Sequence, residues 1–289
     1  MTEVQDTIVL KIEGDVRTDA DGIQKLMHLF FDASRYPNST ITVDFYSMTW
    51  IDANLTAFFW AIGHRLREQY NVTLSADFTY LAQRFNVLFR NGWLKHDAFV
   101  FQDDEKTTIP CSSFLPTEEA EFIEYIANKL LNHRSIADIE VNIKKRIQSD
   151  LIEVFQNIYR HARTQEPCFI CGQFYPRQQY FVLTIVDLGV GFLPPIEEYT
   201  NGKTNTHIEA IKWALSGEST KIKNPETDLG GFALSGILEY CQNSKGIFQI
   251  YTGTDFWGTD LEGTIWQGVR DIGHAFNGSM VNLFFNTKH

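Results

Sequence analysis

The chain has 289 residues, a formal net charge of −11 and 44% hydrophobic residues. This length predicts two domains, each large enough for its own core. The negative charge argues against a nucleic acid or an anionic membrane as the main partner, although a local basic pocket for a phosphate is compatible with it. The first residues lack the pattern of a signal peptide, and no apolar run approaches the length of a membrane span. We therefore expect a cytoplasmic protein that does not bind a membrane.

The first hundred residues alternate between strand and helix patterns. Strand patterns cover residues 7–12, 40–45 and 72–76, and helical spacing leads up to Phe31 and covers residues 55–70 and 80–89. This order predicts a small α/β layer whose strands are connected through helices. A polar, charged stretch at residues 102–108 follows. We therefore predict domains at residues 1–103 and 104–289.

The stretch from Ile41 to Leu55 resembles the STAS domains of anti-sigma-factor antagonists. Asp44 ends a strand, Asp52 follows a short turn, and a helix comes next, as in that family. The departure is at Ala53-Asn54, where the family has the serine pair that accepts a phosphoryl group and this chain has no hydroxyl. The resemblance therefore implies the fold and a docking site for a protein partner, without the phosphorylation switch. A plain α/β scaffold is the alternative.

Cys168 and Cys171 have the spacing of a metal or redox pair, but they lie on a predicted strand. Residues three apart on a strand face opposite ways. Neither a second pair of this spacing nor a nearby histidine completes a zinc site in the sequence. We therefore expect reduced thiols, which are usual in the cytoplasm.

Two helices are predicted in the middle of the chain. The first follows Thr117, its predicted N-cap, and runs to about Leu131. In the second, Glu153, Asn157 and His161 step by four and form a polar stripe along one border of an apolar face. The members of that face are Ile143, Ile147, Leu151, Phe155, Ile158 and Ala162. An ordinary amphipathic helix would also have a polar edge, so the meaning of the stripe depends on the segments that follow.

Two glycine turns follow this helix. Predicted strands near residues 168–175 and 180–186 lead into Asp187, with Gly189 and Gly191 behind it. A carboxylate followed by alternate glycines favours a tight turn at a pocket, although a plain turn has the same pattern. Gly230 and Gly231 then open a helix, whose free N–H groups and dipole suit a phosphate. Neither turn has the spacing of a Walker or Rossmann motif.

Together these segments resemble the GHKL ATPase superfamily, and they are most similar to its anti-sigma-factor serine kinases. The shared order is Glu-x3-Asn-x3-His on a helix, a strand ending in Asp-x-Gly-x-Gly, a variable segment, and a glycine turn that opens a helix. The resemblance covers about residues 105–289 and implies a two-layer α/β sandwich that binds ATP or ADP with magnesium. It implies that Glu153 is the general base, that Asn157 is the magnesium ligand, and that Asp187 accepts a hydrogen bond from the adenine amino group. The other nucleotide contacts that it implies are His161, Gly189, Gly191, Thr220, Lys221, Gly230, Gly231, Phe232, Ala233, Leu234 and Ser279.

Some of these implied contacts have alternatives. Thr220 and Lys221 would reach the terminal phosphate from an ATP lid between Phe192 and Leu229, or they belong to a solvated loop. For His161 the alternative is a packed, hydrogen-bonded histidine.

The chain departs from the family pattern near the phosphates. Ala233 stands where the family commonly has a glycine, and its methyl group would narrow the space for the phosphates. Two places compete for the last motif, a Gly-Thr whose hydroxyl meets the phosphate network: Gly263-Thr264 and Gly278-Ser279. We prefer the second because it directly precedes the terminal strand pattern at residues 280–285, and serine supplies the same hydroxyl.

The leading interpretation is a GHKL-type ATPase or serine/threonine protein kinase in a partner-switching system. Its STAS-like domain would regulate it or dock a protein partner, within the chain or between the protomers of a homodimer. The alternative is a sensor that binds ATP or ADP without turnover, or an interaction protein whose STAS-like domain binds a partner. Glu153 favours the enzyme, and Ala233 favours the sensor. A sensor histidine kinase is disfavoured, since His133-Arg does not match a phosphoacceptor site.

Overall fold

The structure, a computed structural model, describes residues 7–137, 139–216, 233–259 and 265–286. Within these residues the fold is mixed α/β, with a three-stranded, a two-stranded and a five-stranded sheet. The strands are β1 (Ile8–Lys11), β2 (Gly14–Val16), β3 (Thr40–Asp44), β4 (Met48–Ile51), β5 (Thr73–Ser75), β6 (Thr108–Phe114), β7 (Cys168–Tyr175), β8 (Tyr180–Asp187), β9 (Ile247–Thr259) and β10 (Ile265–Asn286). The helices are α1 (Ala20–Ser34), α2 (Thr56–Tyr70), α3 (Phe78–Arg84), α4 (Val87–Arg90), α5 (Glu119–Tyr125), α6 (Val141–His161), α7 (Leu193–Tyr199), α8 (His207–Leu215) and α9 (Ala233–Asn243).

The N-terminal part, residues 7–103, contains the parallel sheet that the strand–helix alternation predicts. β1 pairs with β3 and β3 with β5, all parallel, and α1 and α2 lie between these strands in the sequence. A second parallel pair, β2 with β4, was not predicted, since β4 occupies most of the segment taken as a turn before Asp52. The single helix predicted over residues 80–89 is also wrong. The structure has α3 and α4 there, because the backbone leaves helical geometry at Phe85 (φ −132°, ψ 50°).

The five-stranded sheet has the order β6-β7-β8-β10-β9, and all its neighbouring strands are antiparallel. Side chains alternate between two cores, as the period of a strand requires. On β7, Cys168 and Ile170 enter the core beneath α5, α6, α8 and α9, whereas Phe169 and Cys171 enter the core on the opposite face. The prediction that Cys168 and Cys171 face opposite ways is therefore confirmed. All four cysteines of the chain are buried, and none of them forms a disulfide.

The second face of this sheet packs against the N-terminal part. α2 lies against β7 and β8, and α1 lies against β10. Phe58 of α2 is fully buried there, with its ring 5.1 Å from that of Phe276 and 6.0 Å from that of Tyr251. On its other side α1 contacts β1, and α2 contacts β5, so that both helices lie between two sheets. One core thus extends across residue 103, and the domain boundary proposed there stays a prediction.

A chain of buried polar side chains crosses the same contact. Asn54 Nδ2 donates to Thr184 Oγ1 (2.8 Å), and Thr184 Oγ1 donates to Asn282 Oδ1 (2.7 Å). Beside it, the Tyr175 hydroxyl donates to the Asp52 carboxylate (2.7 Å). Most buried polar groups in proteins are hydrogen-bonded, since a buried group without a partner costs stability. These bonds therefore fix the start of α2 at one position on the sheet.

The C-terminal part, the described residues from 104 onward, departs from the predicted elements at three places. β6 and α7 were not predicted, and α5 begins at Glu119, so that Thr117 is not its N-cap. The residue at the N-cap is Glu118, whose carboxylate accepts a hydrogen bond from Leu115 N (2.8 Å). After Tyr125 the helix widens into a π turn over Ile126–Leu130. None of the helices in the described ranges has the length and apolar character that a membrane span requires.

Candidate functional site

A cleft opens between α6 and the five-stranded sheet, with α7, α8 and the start of α9 at its sides. Its empty space, including the open mouth, is about 940 Å³. The walls are mainly apolar, and the apolar residues include Val154, Ile158, Ile185, Phe192, Ile196, Trp213, Leu234 and Val281. Polar side chains reach the cleft from Asn157, His161, Asp187 and Ser279. An apolar cleft with a few convergent polar groups is typical of a small-molecule site.

The cleft brings together six of the residues that the sequence singled out. They are Asn157, His161, Asp187, Gly191, Leu234 and Ser279. These residues come from α6, the end of β8, the turn after it, the start of α9 and the middle of β10. Since they are up to 122 positions apart in the chain, from Asn157 to Ser279, the fold and not local sequence assembles them.

Asp187 is the most buried charged group of the cleft. Its side chain is only 4% exposed, and its carboxylate accepts hydrogen bonds from Gly189 N (2.8 Å) and from the Ser279 hydroxyl. Burial raises the pKa of Asp187, whereas these two hydrogen bonds and the nearby charge of Arg65 lower it. An ionised carboxylate has about four acceptor positions. Asp187 can therefore accept a further hydrogen bond from a donor in the cleft.

Asn157 contributes an amide oxygen that has no hydrogen-bond partner in the described part of the chain. Asn157 Oδ1 is buried and makes no hydrogen bond with the described residues. A buried acceptor without a partner typically destabilises a protein by about 1–3 kcal/mol. Such an atom at the wall of a cleft is available to accept a hydrogen bond from a ligand or to coordinate a hard cation.

The glycines after Asp187 are required by close packing. A Cβ at position 189 would lie 2.3 Å from Ala162 O, because the turn lies on the end of α6 and Val190 N donates to that carbonyl (2.9 Å). Gly191 has φ +74°, and a Cβ there would lie 2.4 Å from Thr252 Oγ1. Gly189 is thus needed for space, and Gly191 for space and for its left-handed backbone.

Two predicted residues occupy positions that change their expected roles. Ser279 pairs with Asp187 across β10 and β8, and its hydroxyl donates to the Asp187 carboxylate. Among the described residues its contact is with this carboxylate, and the expected contact with the phosphates stays a prediction. Glu153 is half-buried on α6, one turn before Asn157, and does not belong to the residues that line the described cleft.

Part of the predicted site lies outside the described residues. This holds for Thr220, Lys221, Gly230, Gly231 and Phe232, and for the competing motif Gly263-Thr264. Ala233 is the first residue of α9. The structure therefore describes the Asp187 side of the predicted site, and the glycine turn before α9 stays a prediction. Within the described ranges, no three His, Cys, Asp or Glu side chains are grouped so that they could hold a metal ion.

Sequence reasoning missed Arg65, Thr252 and the aromatic wall of Phe192 and Trp213. Arg65 had a usable signal, since it follows Phe58 by seven positions on α2 and so lies on the apolar face of that helix. A cation at such a position needs partners in the core. Thr252, Phe192 and Trp213 have no comparable signal, because ordinary strands and helices contain the same residue types.

In comparisons with protein-family models, curated proteins and solved structures, no match to this chain was found. The geometry of the cleft is therefore the basis on which a function can be argued.

Proposed function

We propose that this chain is a magnesium-dependent adenine-nucleotide-binding protein of the GHKL type. The observation that supports this most is the meeting of Asn157 on α6 with the Asp187–Ser279 pair across one apolar cleft. The arrangement of helices on one face of an antiparallel sheet is compatible with the two-layer sandwich that the resemblance implies.

The Asp187 end of the cleft fits the adenine ring. Apolar side chains such as Ile158 and Ile185 offer flat contact to a planar ring, and the buried carboxylate would accept a hydrogen bond from the exocyclic amino group. Guanine carries a carbonyl oxygen at the corresponding position, and that oxygen would face a negative charge. Gly189 N–H and the Ser279 hydroxyl would hold the carboxylate in orientation. The site would therefore bind ATP more tightly than GTP.

The Asn157 side of the cleft fits the magnesium that accompanies the phosphates. An amide oxygen is a suitable ligand for a hard cation, and Asn157 Oδ1 has no other described partner. Magnesium keeps several water ligands and commonly takes phosphate oxygens from its nucleotide, so one protein ligand can suffice. When bound, the ion would neutralise phosphate charge. Gly230 and Gly231 would receive the phosphates, with Thr220 and Lys221 in the lid.

The N-terminal part would act as a STAS-like module that is docked within the same chain. Asn54, at the position where the STAS family has a phosphorylatable serine, is fully buried against Thr184 of β8. Ala53 N also donates to the Gln173 side chain (2.7 Å). The usual modification site would therefore be part of an internal contact, and a protein partner would dock on another face.

Two observations bear on whether the bound nucleotide is turned over. Glu153 is retained one turn before Asn157, where it would polarise a water or a protein hydroxyl for attack on the γ-phosphoryl group. This favours an ATPase or a serine/threonine kinase. Glu153 does not line the described cleft, which favours a sensor that binds ATP or ADP without chemistry.

The deciding experiment combines binding and turnover. The full chain is incubated with magnesium and γ-labelled ATP, and both phosphate release and transfer to co-purifying proteins are followed. Affinity for ATP is measured by titration calorimetry on the same sample. Glu153→Gln is compared with Glu140→Gln, since Glu140 is exposed, lies just before α6, and makes no side-chain cap to it.

For an enzyme we expect Glu153→Gln to lose turnover and keep ATP affinity, whereas Glu140→Gln keeps both. For a sensor we expect the wild type to bind ATP without releasing or transferring phosphate. A wild-type chain that binds neither ATP nor ADP in the presence of magnesium would contradict the proposed function.

A further inference from the structure

Arg65 is a buried cation that the candidate site does not itself contain. It belongs to α2 in the N-terminal part, and it is 7% exposed. A buried arginine needs hydrogen-bond acceptors, and burial lowers the pKa of Arg65 while the charge of Asp187 raises it. The hydrogen-bond acceptors of its guanidinium therefore show which segments of the chain Arg65 supports.

The acceptors of Arg65 are two carbonyls on the two turns that hold Asp187 and Ser279. Nη2 donates to Leu188 O (3.0 Å), which directly follows Asp187, and Nη1 donates to Asn277 O, two positions before Ser279. A single planar guanidinium thus connects the turn after β8 to the bend in β10.

The two turns are in direct contact at the point that Arg65 spans. Gly278 has φ +142°, and a Cβ there would lie 2.3 Å from Asp187 O. The Arg65 guanidinium carbon lies 5.4 Å from the centre of the Phe276 ring, which fixes the cation from a second side. A shift of α2 relative to the sheet would therefore move the support of both turns.

We propose that Arg65 is a positioning residue for the nucleotide cleft, which links the base-reading carboxylate of Asp187 to the placement of the N-terminal part. This inference rests on the proposed nucleotide-binding function. Arg65 acts through the Leu188 and Asn277 carbonyls and through its charge, and it does not belong to the residues that line the described cleft. A change that displaces α2 would lower nucleotide affinity without altering a residue in the cleft.

A double-mutant cycle tests this role. Binding of Mg·ATP is measured by titration calorimetry for the wild-type full chain, Arg65→Met, Asp187→Asn and the double variant. Loss of a hydrogen bond to a charged group weakens binding by about ten-fold or more, and we expect Arg65→Met to do so. In the Asp187→Asn background we expect the same change to weaken binding by less than about two-fold, since the carboxylate that it positions is gone. A general loss of packing would weaken binding equally in both backgrounds.

Two further variants complete the experiment. Arg67→Met removes an exposed arginine two positions away on α2 and should leave ATP affinity unchanged. Arg65→Lys keeps the charge and loses the two-pronged geometry, so its affinity should lie between those of Arg65→Met and wild type. If Arg65→Met does not fold, the same cycle is measured with Arg65→Lys and Asp187→Asn. A loss of ATP affinity from Arg65→Lys that occurs only in the chain with Asp187 supports the positioning role.

The failures of the two proposals are distinguishable. A wild type that binds Mg·ATP while Arg65→Met and Arg65→Lys bind it equally well would overturn the positioning role alone. Equal losses of affinity when Arg65 is replaced in the wild-type chain and in the Asp187→Asn variant would also overturn it. A wild type that does not bind Mg·ATP would overturn both.

Discussion

We expect the charge of Asp150 on α6 to destabilise the folded chain at neutral pH. Its side chain is 17% exposed, and the nearest described cation is Arg146, with Nε 3.9 Å from Asp150 Oδ2. The pKa of Asp150 is raised from 3.8 to about 6. Burial is the main cause, the charge of Arg146 opposes it, and the charges of Glu153 and Glu239 add to the rise. The carboxylate also lies close to α9, where a Cβ at Gly236 would be 3.1 Å from it.

The sign of the effect follows from the higher pKa in the folded chain. The contribution of Asp150 to stability is fully present below pH 3.8 and is lost as the pH rises to about 6 and above. A rise of the pKa from 3.8 to about 6 corresponds to about 3 kcal/mol of free energy of unfolding. Because the side chain keeps some exposure to solvent, which screens the charge, we expect Asp150→Asn to stabilise the chain by about 1–2 kcal/mol at pH 7.5.

Urea denaturation of the two proteins between pH 4 and pH 8 would measure this gain. We expect almost no difference at about pH 4, where the folded carboxyl is protonated, and the full difference at about pH 7.5. Asp104→Asn is the control, since Asp104 is exposed, and it should change stability at neither pH. A stabilisation that is independent of pH, or a loss of stability at pH 7.5, would refute the reasoning.

Three other predictions concern the shared core and the cleft. Phe58→Ala should lower the free energy of unfolding by about 3–5 kcal/mol. In hydrogen exchange measured in urea, peptides of the N-terminal and C-terminal parts should lose protection together. Loss of protection at different urea concentrations would contradict a common core. Gly191→Ala should weaken ATP binding much more than Gly202→Ala does. Gly202 has nearly the same positive φ, but a Cβ added there has no atom within 4 Å. Affinities that fall equally in calorimetry would show that lack of space is not the cause. Asn157→Ala should weaken ATP binding about ten-fold with magnesium and leave it nearly unchanged in EDTA; equal losses in both buffers would contradict a metal ligand.

The regular elements of the fold were readable from the sequence because their patterns are strong. The nearly continuous apolar residues of β7 and β8 reflect a sheet with two buried faces, and the apolar stripe that predicts α6 reflects its one covered side. The strands β2 and β4 were not predicted, since Gly14 and Asp15 are residue types that are depleted in strands and β4 lies in the segment that was taken as a turn. A pairing between segments more than thirty positions apart has no local pattern.

The packing of the N-terminal part on the sheet was not predictable from the sequence patterns alone. The apolar residues on the second face of β7 are compatible with a cover of helices, of another sheet or of a partner chain. Thr184 and Asn282, polar residues within apolar strands, were signals that a polar contact exists there. Their partner, Asn54, could be identified only in three dimensions.

The candidate site was predictable in its residue types and only partly in their roles. Asp187 and Gly191 were identified from their spacing, and the structure places them in one cleft with Asn157. Ser279 was expected at the phosphates, which stays a prediction, and its strand register places it opposite Asp187, a contact that was not predicted. Register depends on the pairing of whole strands, which a two-residue motif does not encode. Arg65 was missed because its role arises from the contact between the two parts of the chain.

The central claim is that the cleft binds an adenine nucleotide and that Asp187 reads its base. Titration calorimetry of the full chain with Mg·ATP and with Mg·GTP tests this most directly, with Asp187→Asn measured in parallel. We expect saturable binding of ATP that is at least about ten-fold tighter than that of GTP, and a loss of this preference in Asp187→Asn. Equal or tighter binding of GTP by the wild type, or binding of neither nucleotide, would contradict the claim.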